Sequence, residues 1–316
     1  EIMPSLVGSE MCIRDRDSVA QLSDYASNGV VYYCMYDEDK ADGHIQKNKW
    51  RKTWRPEDAY EEDEDEDKYW YWLEKDGKAY IPDSDDMKAT GYAYDLGDGA
   101  LEVDGSQFSF AKKKINSKDY FFNADGEMLS DFVNVVHTED ANVIDLGMYY
   151  FGGSSDGSMK TGSQTVKDDN GDSFKFYFGT KDNNTTGEAK GKGVTGNKNN
   201  KLYYMGHLVA AQDYKYQPVF MDVAGNGEEA TFIVNQNGSI QHSALEYKED
   251  GDILIDAKTN KVEFKTKNSS SKVWDKYSVE KGSLIINVED IDEKDVMPIS
   301  TDVIASGSVT SGSKPQ

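Results

Sequence analysis

Eight times along this 316-residue chain, a cluster of two or three aromatic residues is followed within a few positions by a turn rich in Asp, Asn and Gly. The clearest copies begin at Tyr120 (YFFNADGEML), Tyr149 (YYFGGSSDGSM), Phe176 (FYFGTKDNN), Tyr203 (YYMGHL) and Phe232 (FIVNQNGSI), with successive starts 29, 27, 27 and 29 residues apart. Less regular copies begin at Tyr32 (YYCMYDEDKADG), Trp70 (WYWLEKDGKAY) and Tyr92 (YAYDLGDGAL), the last 28 residues before Tyr120. A fixed period of this size marks a repeat architecture in which each unit is one small supersecondary element.

Each unit reads as a β-hairpin, because an alternating aromatic strand runs into a dipeptide that tolerates positive φ. Asp76-Gly77, Asp98-Gly99, Asp125-Gly126, Asp156-Gly157 and Asn237-Gly238 are expected to be tight two-residue turns. A lone hairpin is marginal in water, so the units must stack and share their aromatic faces. The expectation is an all-β chain, an elongated β-hairpin solenoid with a small C-terminal β unit. Glycine and asparagine interrupt every stretch before a long amphipathic helix could accumulate.

Composition supports the narrow aromatic seam. Hydrophobic residues make up 37% of the chain and aromatic residues alone 12%, so a core must draw heavily on rings, which favour strands. The formal charge of -23 argues against nucleic acid, whose phosphates require a basic face, and disfavours an anionic membrane surface. No window approaches the ~18 consecutive apolar residues of a membrane span.

Residues 1–16 stand apart: Leu6 to Arg16 reads LVGSEMCIRDR and resembles a translated sequencing adapter, so this segment is expected to be non-native. Cys12 falls inside it, which leaves Cys34 without an intrachain partner. Residues 17–243 hold the repeats, interrupted at 57–67 by the acidic insertion EDAYEEDEDED, where like charges repel and favour a solvated loop. Residues 244–305 keep a strand-like alternation without the aromatic repeat and read as a separate small β unit. The Ser- and Gly-rich residues 306–316 read as a flexible tail.

The segments YYFGGSSDGSMKTG (Tyr149 to Gly162) and YFFNADGEML (Tyr120 to Leu129) resemble the cell-wall-binding repeat superfamily, which includes the choline-binding and glucan-binding repeats of Gram-positive surface proteins. WYWLEKDGKAY (Trp70 to Tyr80) and NNKLYYMGHLVAAQDYKYQPV (Asn199 to Val219) are similar to segments of the same kind, and the likeness runs from about Val30 to Ser243. The resemblance implies secretion and noncovalent retention at the cell wall through teichoic acid, peptidoglycan, choline or glucan. It also leaves two other roles open, the targeting region of a wall-active or glucan-active enzyme and a structural adhesin stalk. A choline-type site of this family is an aromatic cage that uses the Trp of a Gly-Trp pair. Here that position is filled by Phe132 after Asp131 and by Ser163 after Gly162, while Trp50 follows Lys49.

The candidate ligand-binding aromatics are Trp50, Trp54, Trp70, Trp72, Tyr71, Tyr149, Tyr150, Tyr203 and Tyr204. A ring attracts a cation through its quadrupole, and an exposed Trp can also stack on a sugar. Alternation along a strand puts Trp70 and Trp72 on one face and Tyr69 and Tyr71 on the other, so one face is expected to be core and the other free for ligand.

Catalytic signatures are weak. Gly153, Ser155 and Gly157 satisfy G-x-S-x-G but lie in a hairpin turn, not between strand and helix. Gly191, Gly193 and Gly196 match G-x-G-x-x-G but lead into a strand. The four histidines, His44, His137, His207 and His242, fall in separate repeats without metal-ligand spacing, and Ala224 replaces a ligand in the faintly calcium-like DVAGNG run from Asp222. The expectation is a noncatalytic chain with no cofactor and no metal.

Overall fold

The computed structural model describes residues 19–21, 31–33, 47–53, 68–97, 99–182, 189–212, 214–221, 230–241, 245–249, 252–257, 261–265, 270–274, 285–286 and 299–300. Trp54, both cysteines, the acidic insertion 57–67 and the adapter-like residues 1–16 lie outside them. Among the described residues every regular element is a strand, so the chain is all-β.

β1 (Val19–Gln21) pairs with β2 (Val31–Tyr33), and β3 (Lys49–Thr53) pairs with β4 (Tyr69–Leu73). A five-stranded antiparallel sheet follows, formed by β5 (Ala89–Gly97), β6 (Ala100–Ile115), β7 (Lys118–Asn123), β8 (Phe132–Thr138) and β9 (Gly147–Tyr150) in the order β7-β6-β5-β8-β9. β10 (Gly162–Lys167), β11 (Ser173–Phe178), β12 (Gly196–Lys198), β13 (Lys201–Tyr204) and β14 (His207–Leu208) form a second, ordered β10-β11-β14-β13-β12. The third unites β15 (Tyr216–Met221) and β16 (Ala230–Asn235) with β19 (Lys261–Lys265), β20 (Ser270–Trp274) and β22 (Ile299–Ser300). Strands on both sides of residue 243 therefore share this sheet. β17 (Leu245–Glu249), β18 (Asp252–Ala257) and β21 (Ile285–Ile286) make a three-stranded sheet.

The aromatic strands β4, β7, β9, β11, β13 and β16 each pair with the strand before them, as the repeat implies. Their turns correct the expectation. After β4 the Gly77 N–H donates to Glu74 O (3.0 Å) and the Glu74 N–H to Lys78 O (2.8 Å). The same pair of bonds recurs at Asn123, Gly126 and Glu127 and at Asn235, Gly238 and Ser239. These are three-residue loops in which a type I turn is closed by a left-handed residue, with φ of 93° at Gly77, 79° at Gly126 and 70° at Gly238. Asn123 and Asn235 reinforce them, since each Oδ1 accepts the backbone N–H groups two and four residues on. Two-residue loops occur instead at Asn116-Ser117, Asn199-Asn200 and Met205-Gly206, where both residues have positive φ.

The Tyr92 copy also departs from the pattern. Its aromatic strand belongs to the long β5–β6 hairpin, which turns at Gly99 (φ 78°) to join the pair Gly97↔Ala100, while Asp98 of the expected turn lies outside the described residues. β5 pairs with β8 on its other side, so this hairpin fills the sheet and is not one more unit of the series.

Successive units are joined at one repeated position. The N–H of Met128 donates to Trp70 O (2.9 Å), that of Met159 to Asp119 O (2.8 Å), that of Gly193 to Met148 O (2.7 Å) and that of Ile240 to Asn200 O (3.0 Å). In the first three cases the chain returning from one aromatic strand bonds the aromatic strand of the preceding unit, and in the fourth it bonds the residue just before β13. Side chains interleave at the same places. Trp72 packs with Tyr120 and Phe122, Phe121 with Tyr149 and Phe151, Tyr150 with Phe176 and Phe178, and Leu202 with Phe232 and Val234. The core is thus a set of small apolar clusters, and burial of these rings supplies most of its favourable free energy.

Candidate binding site at the aromatic junctions

The strand register places equivalent residues without ambiguity. Opposite the residue of each aromatic strand whose carbonyl accepts from its own returning chain stand Trp50 (facing Trp72), Lys112 (Phe121), Phe132 (Tyr150), Ser163 (Tyr177), Asn197 (Leu202) and Pro218 (Ile233). Trp50, Phe132 and Ser163 therefore share one position, as the Gly-Trp comparison required.

The first junction is the richest in rings. Trp50, half-buried, has ring centroids 5.4 Å from Trp72, 4.8 Å from Tyr120 and 5.8 Å from Phe122, and it is nearly parallel to Phe122, at 4°. Tyr80 meets Phe122 edge-on at 5.1 Å. A cation held between two rings must lie within about 6 Å of each centroid, and rings in direct contact leave no space between them. What the junction offers is its outer aromatic surface, on Trp50 and Tyr80. That surface has a polar rim: the Tyr80 hydroxyl donates to Asp86 Oδ2 (3.1 Å), and Lys113 Nζ is 2.8 Å from Glu74 Oε1 and 3.7 Å above the Tyr80 ring. Burial, with Asp86 beside it, raises the Tyr80 phenol far above its ordinary range, so it stays a donor.

β4 overturns the expectation of one core face and one free face. Tyr71 is 1% exposed and Trp72 9%, although they point to opposite sides, because stacking covers both faces of an aromatic strand. Tyr71 donates to the buried Glu127 across to the next unit (3.4 Å). Trp70 is half-buried, and its Nε1 has no hydrogen-bond partner among the described residues.

Tyr149 is buried in the second junction and donates to Asp145 O (3.0 Å), and burial raises its phenol strongly. Tyr150 is half-buried in the third, stacked on Phe132 at 4.5 Å. A fourth junction lies where β13 follows β11: Tyr203 is buried there, 5.8 Å from Tyr177, whereas Tyr204 lies at the margin of the cluster that holds Leu202 and Phe232. The candidate aromatics are therefore spread over successive junctions and do not form one cage. Sequence reasoning missed Tyr80, Tyr177, Lys113 and Lys198. Tyr80 and Tyr177 sit inside repeats already recognised, but only the stacking shows which ring keeps an open edge.

The junctions are filled differently. At the third, Leu96 and Leu101 of the β5–β6 hairpin join Phe132, Phe176 and Phe178, and the hairpin tip seats on Phe174, where a Cβ on Gly99 would lie 2.5 Å from the ring. His207 stacks on Phe176 at 4.7 Å. Its Nδ1 is unpartnered among the described residues, and burial lowers its pKa to about 4.

No protein-family model matches the chain, and no curated protein matches it. Among solved structures it is similar to choline binding protein F from Streptococcus pneumoniae, at 18% identity and a TM-score of 0.24 over 68% of this chain and 55% of that one. A modular endolysin complexed with a peptidoglycan analogue follows at 14% identity and 0.21, over 75% and 42%. CbpJ from the same bacterium gives 14% and 0.20, over 72% and 74%. The chain thus spans about half the length of the first of these.

Proposed function

We propose that the chain is a noncatalytic, secreted module of a Gram-positive cell surface, a β-hairpin solenoid that binds a cell-wall polymer or carbohydrate along its aromatic junctions. The observation that carries this reading is the recurrence of one junction geometry, which leaves half-buried rings at separate places along the chain, Trp50 and Trp70 at the first junction and Tyr150 at the third. A repeating polymer can engage such spaced sites together, so that weak contacts add through effective concentration. Stacking on sugar rings suits isolated half-exposed aromatics better than a closed cage does. Teichoic acid, peptidoglycan and glucan are the partner classes. Net charge weighs against ligands recognised mainly through negative charge, which favours peptidoglycan or glucan.

The test is retention of the full chain on purified cell walls and on insoluble glucan. Trp50→Ala/Trp70→Ala/Tyr150→Ala is expected to lose at least about tenfold in retention while remaining folded by circular dichroism. Trp72 is left intact because its burial makes it a folding residue. Equal retention of the folded variant and the wild type would sink the reading.

A further inference from the structure

Two of the junctions already contain an ammonium group, and the chain itself supplies it. Lys113 lies in β6 opposite Tyr120, and Lys198 lies in β12 opposite Lys201. These are the same repeat position, because each partner immediately precedes an equivalent residue, Phe121 or Leu202, that shares a cluster with the following unit. From that position each lysine reaches back over a tyrosine of the preceding unit: Lys113 Nζ stands 3.7 Å from the Tyr80 ring centroid and Lys198 Nζ 5.3 Å from that of Tyr177. Glu74 closes the first arrangement from the side, 2.8 Å from Lys113 Nζ.

The units between them lack this device. Val133 and Gln164 occupy the equivalent position in the next two units, and the third junction is filled by Leu96 and Leu101 from the β5–β6 hairpin. An ammonium over an aromatic face, with a carboxylate beside it, is the arrangement a ring uses to hold a cation. We infer that Lys113 and Lys198 are built-in caps, which occupy the cation-attracting faces of Tyr80 and Tyr177 and keep external organic ammonium groups out. A tethered ammonium competes at an effective concentration in the millimolar range or above, so a free cation that binds a single open ring weakly is excluded. The inference goes beyond the polymer-binding reading and does not depend on it, since sugar stacking on Trp50 or Trp70 leaves both caps in place.

The experiment titrates tetramethylammonium into the full chain, following tryptophan fluorescence at the first junction and the Tyr177 ring resonances by NMR at the fourth. K113M, which keeps the aliphatic stem, is expected to bind the probe at least about tenfold more tightly than the wild type, and K113M/Y80L to lose the gain. K198M is expected to make the Tyr177 resonances respond at probe concentrations that leave the wild type unchanged. Equal binding by wild type and folded K113M overturns the inference. Should K113M not fold, the wild-type Lys113 side-chain protons decide: an upfield ring-current shift that Y80L abolishes supports the cap, and unshifted protons refute it. Because the probe is no wall polymer, failure here and failure on walls remain distinguishable.

Discussion

The first and third junctions use the same register and the same interleaving of rings, yet one ends in a polar, half-open surface and the other is filled by apolar side chains that leave Tyr150 at the margin. At the first, Trp50 stands opposite Trp72 and the rim carries Tyr80, Lys113, Glu74 and Asp86. At the third, Phe132 stands opposite Tyr150, and Leu96, Leu101 and His207 close the space around Phe176 and Phe178. The lesson is that the repeat sets where a junction forms, while residues outside the repeat, above all the β5–β6 hairpin, decide whether it can meet a ligand.

The largest effect should come from cutting a ring out of the third junction. Phe178→Ala removes a fully buried side chain and is expected to cost about 3–5 kcal/mol, because a lined cavity cannot collapse. Trp50→Ala at the half-open junction should cost less, about 2 kcal/mol, since part of its surface is already in water. Urea denaturation of both variants measures the difference, and equal losses would erase the distinction between the two sites.

A second contrast is in acid. His207 is held neutral by burial, with a folded pKa of about 4 against about 6.5 in an unfolded chain. Between those values the unfolded state binds the additional proton, so stability falls as pH drops from 6.5 to 4 and is insensitive to this group above 6.5. The loss is expected to approach about 3 kcal/mol, read from denaturation midpoints across that range. His207→Phe, which keeps a ring against Phe176, should flatten this component of the pH profile. The Tyr80 phenol at the first junction stays protonated throughout that range and contributes no such component.

Much of this was legible in the sequence, for reasons that differ by residue. The aromatic period located the strands from Trp70 to Phe232, because two-residue alternation and glycine-bearing turns are local properties. The equivalence of Trp50, Phe132 and Ser163 came from the resemblance to the Gly-Trp repeats, and the register agrees. Turn length was not legible at Gly77, Gly126 and Gly238, since two- and three-residue loops both call for a glycine of positive φ, and the choice rests on which residues pair across the turn. The free face expected for β4 failed because alternation identifies two faces without saying that a neighbouring unit covers each. Lys113 was hidden for the same reason: a lysine in a strand reads as a solvated charge until the preceding unit brings a ring beneath it.

The smallest change tests the hairpin that fills the third junction. Gly99 has φ of 78° and meets Phe174 so closely that an added Cβ would lie 2.5 Å from the ring. Gly99→Ala should therefore cost about 1–2 kcal/mol from the left-handed backbone and also lift the tip of β5–β6 from its seat. Amide exchange at Leu96 and Leu101 should accelerate, while Trp50 and Trp72 at the first junction keep their wild-type fluorescence. Gly126→Ala is the counterpart at the first junction, where the new Cβ would lie 2.5 Å from Tyr80 O, and it should reverse the pattern, perturbing tryptophan fluorescence with Leu96 and Leu101 still protected. If either substitution disturbed both sites equally, the junctions would behave as one cooperative core, and their difference would be one of surface chemistry alone.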